Sequence, residues 1–261
     1  GSCAACHSNE GFVDLMVLGQ SNPDGYENPT RITCGTCHDD HDTFDFTNDG
    51  PDYALRNIDA VPLRLTNPDY TIDLGGTSNL CVNCHQPRSS EPLDDGNGTY
   101  EMTTTRFGPH HSPQGTLFEG IGGAEISGSA SYPAIASSAH RMGSNCVTCH
   151  MGETTDGNDG SHTNYPTENA CVVCHTNGVP SEVAGLEAEL TTLRNLLAAV
   201  VSQDGTVVGI IVDDRSQEGL FTIAEAQAAW NYMVVTEDHS NGVHNPEYAK
   251  ALIRNAIEAL E

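Results

Sequence analysis

Cys146-Val147-Thr148-Cys149-His150 and Cys171-Val172-Val173-Cys174-His175 decide how this chain is read. Each is Cys-x-x-Cys followed at once by His. The same pattern occurs three more times, as Cys3-Ala4-Ala5-Cys6-His7, Cys34-Gly35-Thr36-Cys37-His38 and Cys81-Val82-Asn83-Cys84-His85. These five pairs account for all 10 cysteines of the 261 residues. Cys-x-x-Cys-His is the attachment signature of c-type haem. The two thiols form thioethers to the macrocycle, and the adjacent imidazole ligates iron from one face. A disulfide framework, zinc sites or a thioredoxin-like redox pair would each leave the His after every pair unexplained. The sequence therefore implies five haem c groups, with His7, His38, His85, His150 and His175 as proximal iron ligands.

Charge narrows the remaining classes. There are 36 Asp and Glu against 10 Lys and Arg, a formal net charge of −26, and Lys250 is the only lysine. So few cations cannot form a basic patch, which argues against binding nucleic acid or an anionic membrane surface. The longest apolar runs, Leu196–Val201 and Val207–Val212, are far short of the roughly 20 residues needed to span a bilayer. Aromatic content is only 6% and there are 26 glycines, as expected where porphyrins replace much of a side-chain core. The expected fold is mainly α with much coil and little β, organised around five covalent haems. Residues 1–180 form a loop-rich haem-binding region, and residues 181–261 form a helical region that supplies a distal His. Covalent haem attachment takes place outside the cytoplasm, so export is expected, with any leader removed.

Seven histidines lie outside the motifs: His41, His110, His111, His140, His162, His239 and His244. Seven spare imidazoles for five irons point to bis-histidine ligation, the arrangement suited to electron transfer without substrate binding. Met16, Met102, Met142, Met151 and Met233 are read as gap-filling residues. His110 and His111 sit in Gly108-Pro109-His110-His111-Ser112-Pro113, where the prolines stiffen the backbone and favour a ligand role for at least one of them.

After Pro180 the pattern becomes helical. Ser181 reads as an N-cap of a helix to about Ser202, with Val183, Leu186, Leu190, Leu193, Leu197 and Val200 on one face. Thr206–Val212 reads as a strand or hairpin arm. Thr222 with Glu225 forms a capping box for a helix to about Glu237. Asn245-Pro246 reads as N-cap and first residue of a final helix to Leu260, and His239 and His244 fall in the connection before it. Trp230 reads as a packing anchor.

From Ala139 onward the sequence resembles the pentahaem cytochrome c nitrite reductases and their relatives. The matching segments are His140-Arg141-Met142-Gly143 leading into the fourth motif and Met151, then His162, then the fifth motif. The tail Ala229-Trp230-Asn231-Tyr232 with Gly242-Val243-His244-Asn245-Pro246 matches as well. Carried over, the resemblance implies that His140 ligates the Cys171/Cys174 haem, His162 the Cys34/Cys37 haem and His244 the Cys146/Cys149 haem. The departures bear on activity. In that family the first haem carries Lys in place of the motif His and keeps an open iron face, whereas the first motif here ends in His7. The family's substrate-contacting His has no counterpart either, because residues 122–138 contain no His.

The family's third haem draws its distal His from a stretch before the first motif, and only Gly1 and Ser2 precede Cys3 here. The first and third haems are therefore expected to use His41, His110, His111 or, less favourably, His239, or a ligand from another molecule. A first haem at the very start of the chain would suit a subunit-to-subunit relay, as in extracellular cytochrome filaments. The acidic stretches Asp39–Asp52, Asp94–Glu101 and Asp156–Asp159 offer oxygen donors for Ca²⁺, but none matches a full calcium loop, and solvated loops are the preferred reading. The expectation is an exported electron carrier of low potential with no catalytic residues, found outside the cell rather than in the periplasm. It would form a homopolymer or homo-oligomer and pass electrons to redox partners or an outside acceptor. The alternatives are a nitrite- or hydroxylamine-reducing pentahaem enzyme and a soluble monomeric shuttle. Denatured holoprotein should have the mass of the polypeptide plus five haems, and iodoacetamide should label none of its cysteines. A single alkylated pair would remove one haem from the count.

Overall fold

The computed structural model describes residues 3–39, 47, 53–65, 69–153 and 157–261. His41 and most of the first acidic stretch lie outside the described residues, as does Asp156. The chain divides into two compact units, one formed by Gly1–Pro62 with Thr71–His85, the other by Leu63–Tyr70 with Gln86–Glu261. These boundaries follow packing, whereas the division at residue 180 follows the chemistry of the motifs.

In the first unit the elements are α1 (Ala4–His7), α2 (Asn9–Leu18), α3 (Cys34–Cys37), a two-residue antiparallel pair β1 (Val61–Pro62) and β2 (Thr71–Ile72), and α4 (Asn79–Val82). Polar side chains bonded to backbone hold much of it in place. Ser8 caps α2 by accepting from Gly11 N at 3.1 Å, and Gly19 ends it in the left-handed conformation. Thr33 and Thr36 form a capping box on α3, and both hydroxyls donate to Asn9 Oδ1. Arg56 donates to Gly35 O at 2.8 Å, and Asn79 joins Leu74 N to Ile58 O. Apolar burial is confined to a few residues, among them Phe12, Val61, Ile72 and Val82.

In the second unit β3 (Thr99–Met102) is followed by α5 (Gln114–Glu119), α6 (Ala139–Gly143), α7 (Cys146–His150), α8 (Glu168–Val172) and α9 (Leu186–Ala199). A β4–β5 hairpin (Ile211–Val212 with Arg215–Ser216), β6 (Gly219–Thr222), α10 (Ile223–Glu237) and α11 (Pro246–Leu260) complete it. The core sits among α9, α10 and α11. Leu193, Leu197, Trp230, Val234, Tyr248, Leu252 and Ile253 are buried there, joined by Met102, Phe107 and Leu117 from earlier in the chain. β6 pairs antiparallel with β3, Tyr100 opposite Phe221, which ties residues 99–102 to the base of α10.

Both C-terminal helices begin as their sequences require. Thr222 accepts from Glu225 N while Glu225 accepts from Thr222 N, and Asn245 accepts from Tyr248 N with Pro246 at the first position. Three expectations need correction. The helix expected from Ser181 starts at Leu186, capped by Gly185 in the left-handed conformation, because residues 181–185 form bends and a turn first. Only Ile211–Val212 of the expected strand Thr206–Val212 is paired as a strand, with Val208 in an isolated bridge to Val201. Met142 is 72% exposed and fills no gap, whereas Met102 and Met233 are buried. Gly123 shows why the core tolerates no side chain at that point: a Cβ there would lie 2.4 Å from Leu252 Cδ2. Leu252→Ala, at a site with no exposed surface, should cost about 2–5 kcal/mol, read as a lowered Tm with the visible spectrum unchanged at room temperature.

Candidate haem-binding and iron-ligating sites

One turn of helix brings Cys, Cys and His of each motif to a common face, because residues i, i+3 and i+4 are neighbours on a helix. The turn is closed by His N donating to the first Cys O: 3.1 Å in the first motif and 2.9 Å in the second, third and fifth. The fourth is α7 itself, capped by Asn145, which accepts from Thr148 N. The fifth is entered through Thr167, which caps α8.

Every one of the ten cysteines keeps some exposure. That is unusual, since free cysteine ordinarily ranks among the most buried side chains. The motifs also crowd one another. In the first unit Cys6 Sγ lies 4.0 Å from Asn83 O and Cys84 Sγ 4.0 Å from Ala5 O, a reciprocal contact between the first and third motifs. Burial pushes the Cys37 thiol up, with the neighbouring Cys81 and Cys34 thiols adding to it, so the second motif also approaches the third. In the second unit burial likewise raises the Cys171 thiol, and Cys149 is the next cause. Apolar side chains around the fourth and fifth motifs face outward: Met142, Tyr165, Val172 and Val173, the last 75% exposed. Accessible thiol pairs beside uncovered apolar surface fit a flat apolar group bound through both sulfurs.

Two histidine pairs stand out. The rings of His140 and His175 have centroids 6.1 Å apart, and those of His150 and His244 lie 6.2 Å apart. Imidazole nitrogens bind first-row metals at about 2.0–2.1 Å. With each nitrogen about 1.1 Å from its ring centre, two imidazoles on opposite sides of one metal have centroids about 6.2–6.4 Å apart. The donor set therefore fits an iron between each pair, and each pair joins a motif His to a non-motif His.

Hydrogen bonds define which nitrogen faces inward. His140 Nδ1 lies 2.5 Å from Val243 O, His150 Nδ1 2.9 Å from Asn164 O, and His38 Nδ1 2.7 Å from Tyr53 O. A carbonyl only accepts, so Nδ1 carries the proton and Nε2 is left with its lone pair for a metal. Asn164 and Tyr53 both have positive φ, 59° and 56°, a conformation that turns each carbonyl to its ring. For Tyr53 such a backbone is costly, and strain of this kind gathers at functional sites. His244 Nδ1 donates instead to the buried Asp238 carboxylate at 2.6 Å, while Ser240 donates to the other oxygen of that group. Phe118 meets the His244 ring edge-on at 6.2 Å.

The elements that aim these rings are tightly tied. His140 rides on α6, capped by Ser138, and the adjacent Arg141 Nε donates at 2.5 Å to Glu119, whose carboxylate is almost fully buried. Tyr70 OH donates to the second Glu119 oxygen. Burial, followed by this bond to Glu119, raises the Tyr70 hydroxyl above its usual range. Residues 122–124, which lead toward α6, are pinned to the C-terminal helices: Trp230 Nε1 donates to Gly122 O, Gly123 N donates to Tyr248 OH, and Asn231 bonds both backbone groups of Ala124. Trp230, Asn231 and Tyr248 thus anchor the chain that delivers His140.

The other ligand candidates are placed separately. His110 is half-buried with φ 64° in a loop bonded to the chain that follows His85, through Arg88 N to Pro109 O and Ser112 Oγ to Gln86 O. His111 and His239 both turn to Glu237. His162 lies exposed in the 3-10 turn Ser161–Thr163, in a different compact unit from the second motif. Asp238, Glu119 and the carbonyls of Tyr53, Asn164 and Val243 were not legible in the sequence.

No protein-family model and no curated protein matches the chain. Two solved structures share its fold. One is the outer cell wall cytochrome OcwA, at 20% identity and a TM-score of 0.55, matched over 99% of this chain and 45% of that one. The other is the undecahaem cytochrome from the S-layer of Carboxydothermus ferrireducens, at 19% identity and a TM-score of 0.53, over 99% of this chain and 37% of that one. The chain thus spans less than half the length of either, and its fold is that of multihaem cytochromes. Arg141→Ala would leave the buried Glu119 carboxylate without its cation and should cost about 3–5 kcal/mol, measured by thermal melting of the holoprotein.

Proposed function

We propose that this chain is a five-haem c-type cytochrome that transfers electrons and does not transform a bound substrate. The observation that carries the reading is the pair of imidazole couples, His140 with His175 and His150 with His244, each spaced for one metal and each containing a motif His. Bound haem supplies an Fe(III)/Fe(II) couple that changes charge without exchanging ligands. The chain's own residues would hold each macrocycle by two sulfurs, keep Nε2 of His38, His140, His150 and His244 available to iron, and leave no coordination position for a substrate. Cys6 and Cys84, in reciprocal contact with each other's motifs, would keep neighbouring macrocycles close. Asp238 would make His244 a stronger donor, which favours the ferric state and lowers the potential of that site.

The imidazole couples give His140 and His244 as two distal ligands, and His162, His41 and His110 are proposed from the sequence for the remaining three haems. His110 is favoured over His111 because the His111 ring is engaged with Glu237. The reductase alternative is opposed by His7, which stands where that chemistry uses Lys. An exported, extracellular setting is supported by haem attachment chemistry and by neighbours described as outer cell wall and S-layer cytochromes. Among the described residues no helix is long and apolar enough to cross a membrane. A carrier with every iron six-coordinate exchanges electrons only by contact with another redox centre, and we take a second copy of the chain in a conductive polymer as the leading partner. Ca²⁺ bound by the acidic loops would lessen the repulsion between copies at −26 each.

His140→Ala and His244→Ala should each convert one haem of five from low to high spin, seen in ferric optical and electron paramagnetic resonance spectra. Wild-type protein should show no high-spin iron and no rapid CO binding. A high-spin signal in the wild type would favour the reductase. Negative-stain microscopy should show filaments, and a small monodisperse particle at high concentration would leave the monomeric shuttle.

A further inference from the structure

Twelve histidines serve five irons. Five motif imidazoles and five distal ones leave two, and the ligand assignment above makes these His111 and His239. They are also the two that the fold brings to one carboxylate. His111 Nδ1 is bonded to Glu237 Oε2, His239 Nε2 lies 3.8 Å from the same oxygen, and the three ligand atoms all fall within 4.8 Å of one another. We propose that His111, Glu237 and His239 form a further metal site, for a divalent transition ion of the Zn²⁺ type, separate from the haems. The inference rests on the bis-histidine reading only in that it leaves these two side chains to spare.

Two imidazoles and one carboxylate are a donor set for Zn, Fe, Ni or Cu, and Ca²⁺ would demand six or more oxygens. Bonds of about 2.0–2.1 Å to a tetrahedral ion set donors about 3.3 Å apart, so the His239 ring must close in by about half an ångström on Glu237 while the bonded His111 ring opens away from it to admit the ion. The two rings can do so. Their side chains are 71% and 70% exposed, whereas Glu237 is 18% exposed and held on the last turn of α10. The frame is already built. Gln114 Nε2 is within hydrogen-bonding reach of the carbonyls of His111, Glu237 and Asp238, so the loop bearing His111 is fastened to the end of α10 without metal. The left-handed backbone of His239, φ 58°, turns the chain sharply just after α10. Three protein ligands leave at least one position to water. A net charge of −26 raises the local concentration of any cation. An ion held here would clip the loop at residues 109–113, and His110 with it, to the helical core.

The test is metal content of the holoprotein after equilibration with Zn²⁺ and dialysis, measured beside iron by mass spectrometry. Wild-type protein should retain one zinc for five irons. His239→Ala and His111→Ala should retain none, and Glu237→Gln should bind at least tenfold more weakly, all with low-spin spectra like the wild type. Zinc held equally by all four proteins, or by none, would overturn the site while leaving the haem reading intact. So would a high-spin haem in His111→Ala, which would make His111 an iron ligand. Fewer than five irons in the wild type would remove the count of spare histidines, and the proposal with it.

Discussion

A Cys-x-x-Cys-His turn directs its three functional side chains at a group that is not part of the polypeptide, and the rest of this structure follows from that. Four or five residues in one helical turn offer little to pack with. The motifs therefore depend on capping side chains such as Thr33, Asn145 and Thr167, and on backbone bonds to neighbouring loops. Where motifs dominate, apolar burial is sparse and exposed valines and methionine flank the cysteines. In the second unit the C-terminal helices supply the apolar core that the motif segments lack.

Those helices do more than stabilise. Trp230, Asn231 and Tyr248 reach out of the core to fasten residues 122–124, and through Arg141 and Glu119 the same network steadies the helix carrying His140. The connection between α10 and α11 presents His244, with its ring oriented by Asp238 at the end of α10. One apolar core thus positions His140 and His244 beside the imidazoles of two motifs some distance away in sequence. An iron between the rings of each couple would crosslink α7 and the fifth motif to the segments carrying His244 and His140.

The two compact units show different solutions to this constraint. The first has its motifs pressed directly together, sulfur against backbone carbonyl between Cys6 and Asn83 and between Cys84 and Ala5. The second carries its motifs on α7 and α8, which pack on each other, with the His150 ring facing His244 from the connection between α10 and α11.

The chemistry was legible in the amino-acid order because it is local. Five repeats of one five-residue pattern, the surplus of histidine, the Thr222–Glu225 capping box and the Asn245-Pro246 helix start each depend on residues within a turn of one another. What only tertiary structure decided depends on distance across the chain. The Nδ1 acceptors Tyr53 O, Asn164 O, Val243 O and Asp238, the β3–β6 pairing and the meeting of His111 with His239 over Glu237 join residues separated by loops whose paths no local rule dictates. A helical turn can mark a His as a candidate ligand. Which carbonyl orients it, and which imidazole faces it, is settled by packing in three dimensions.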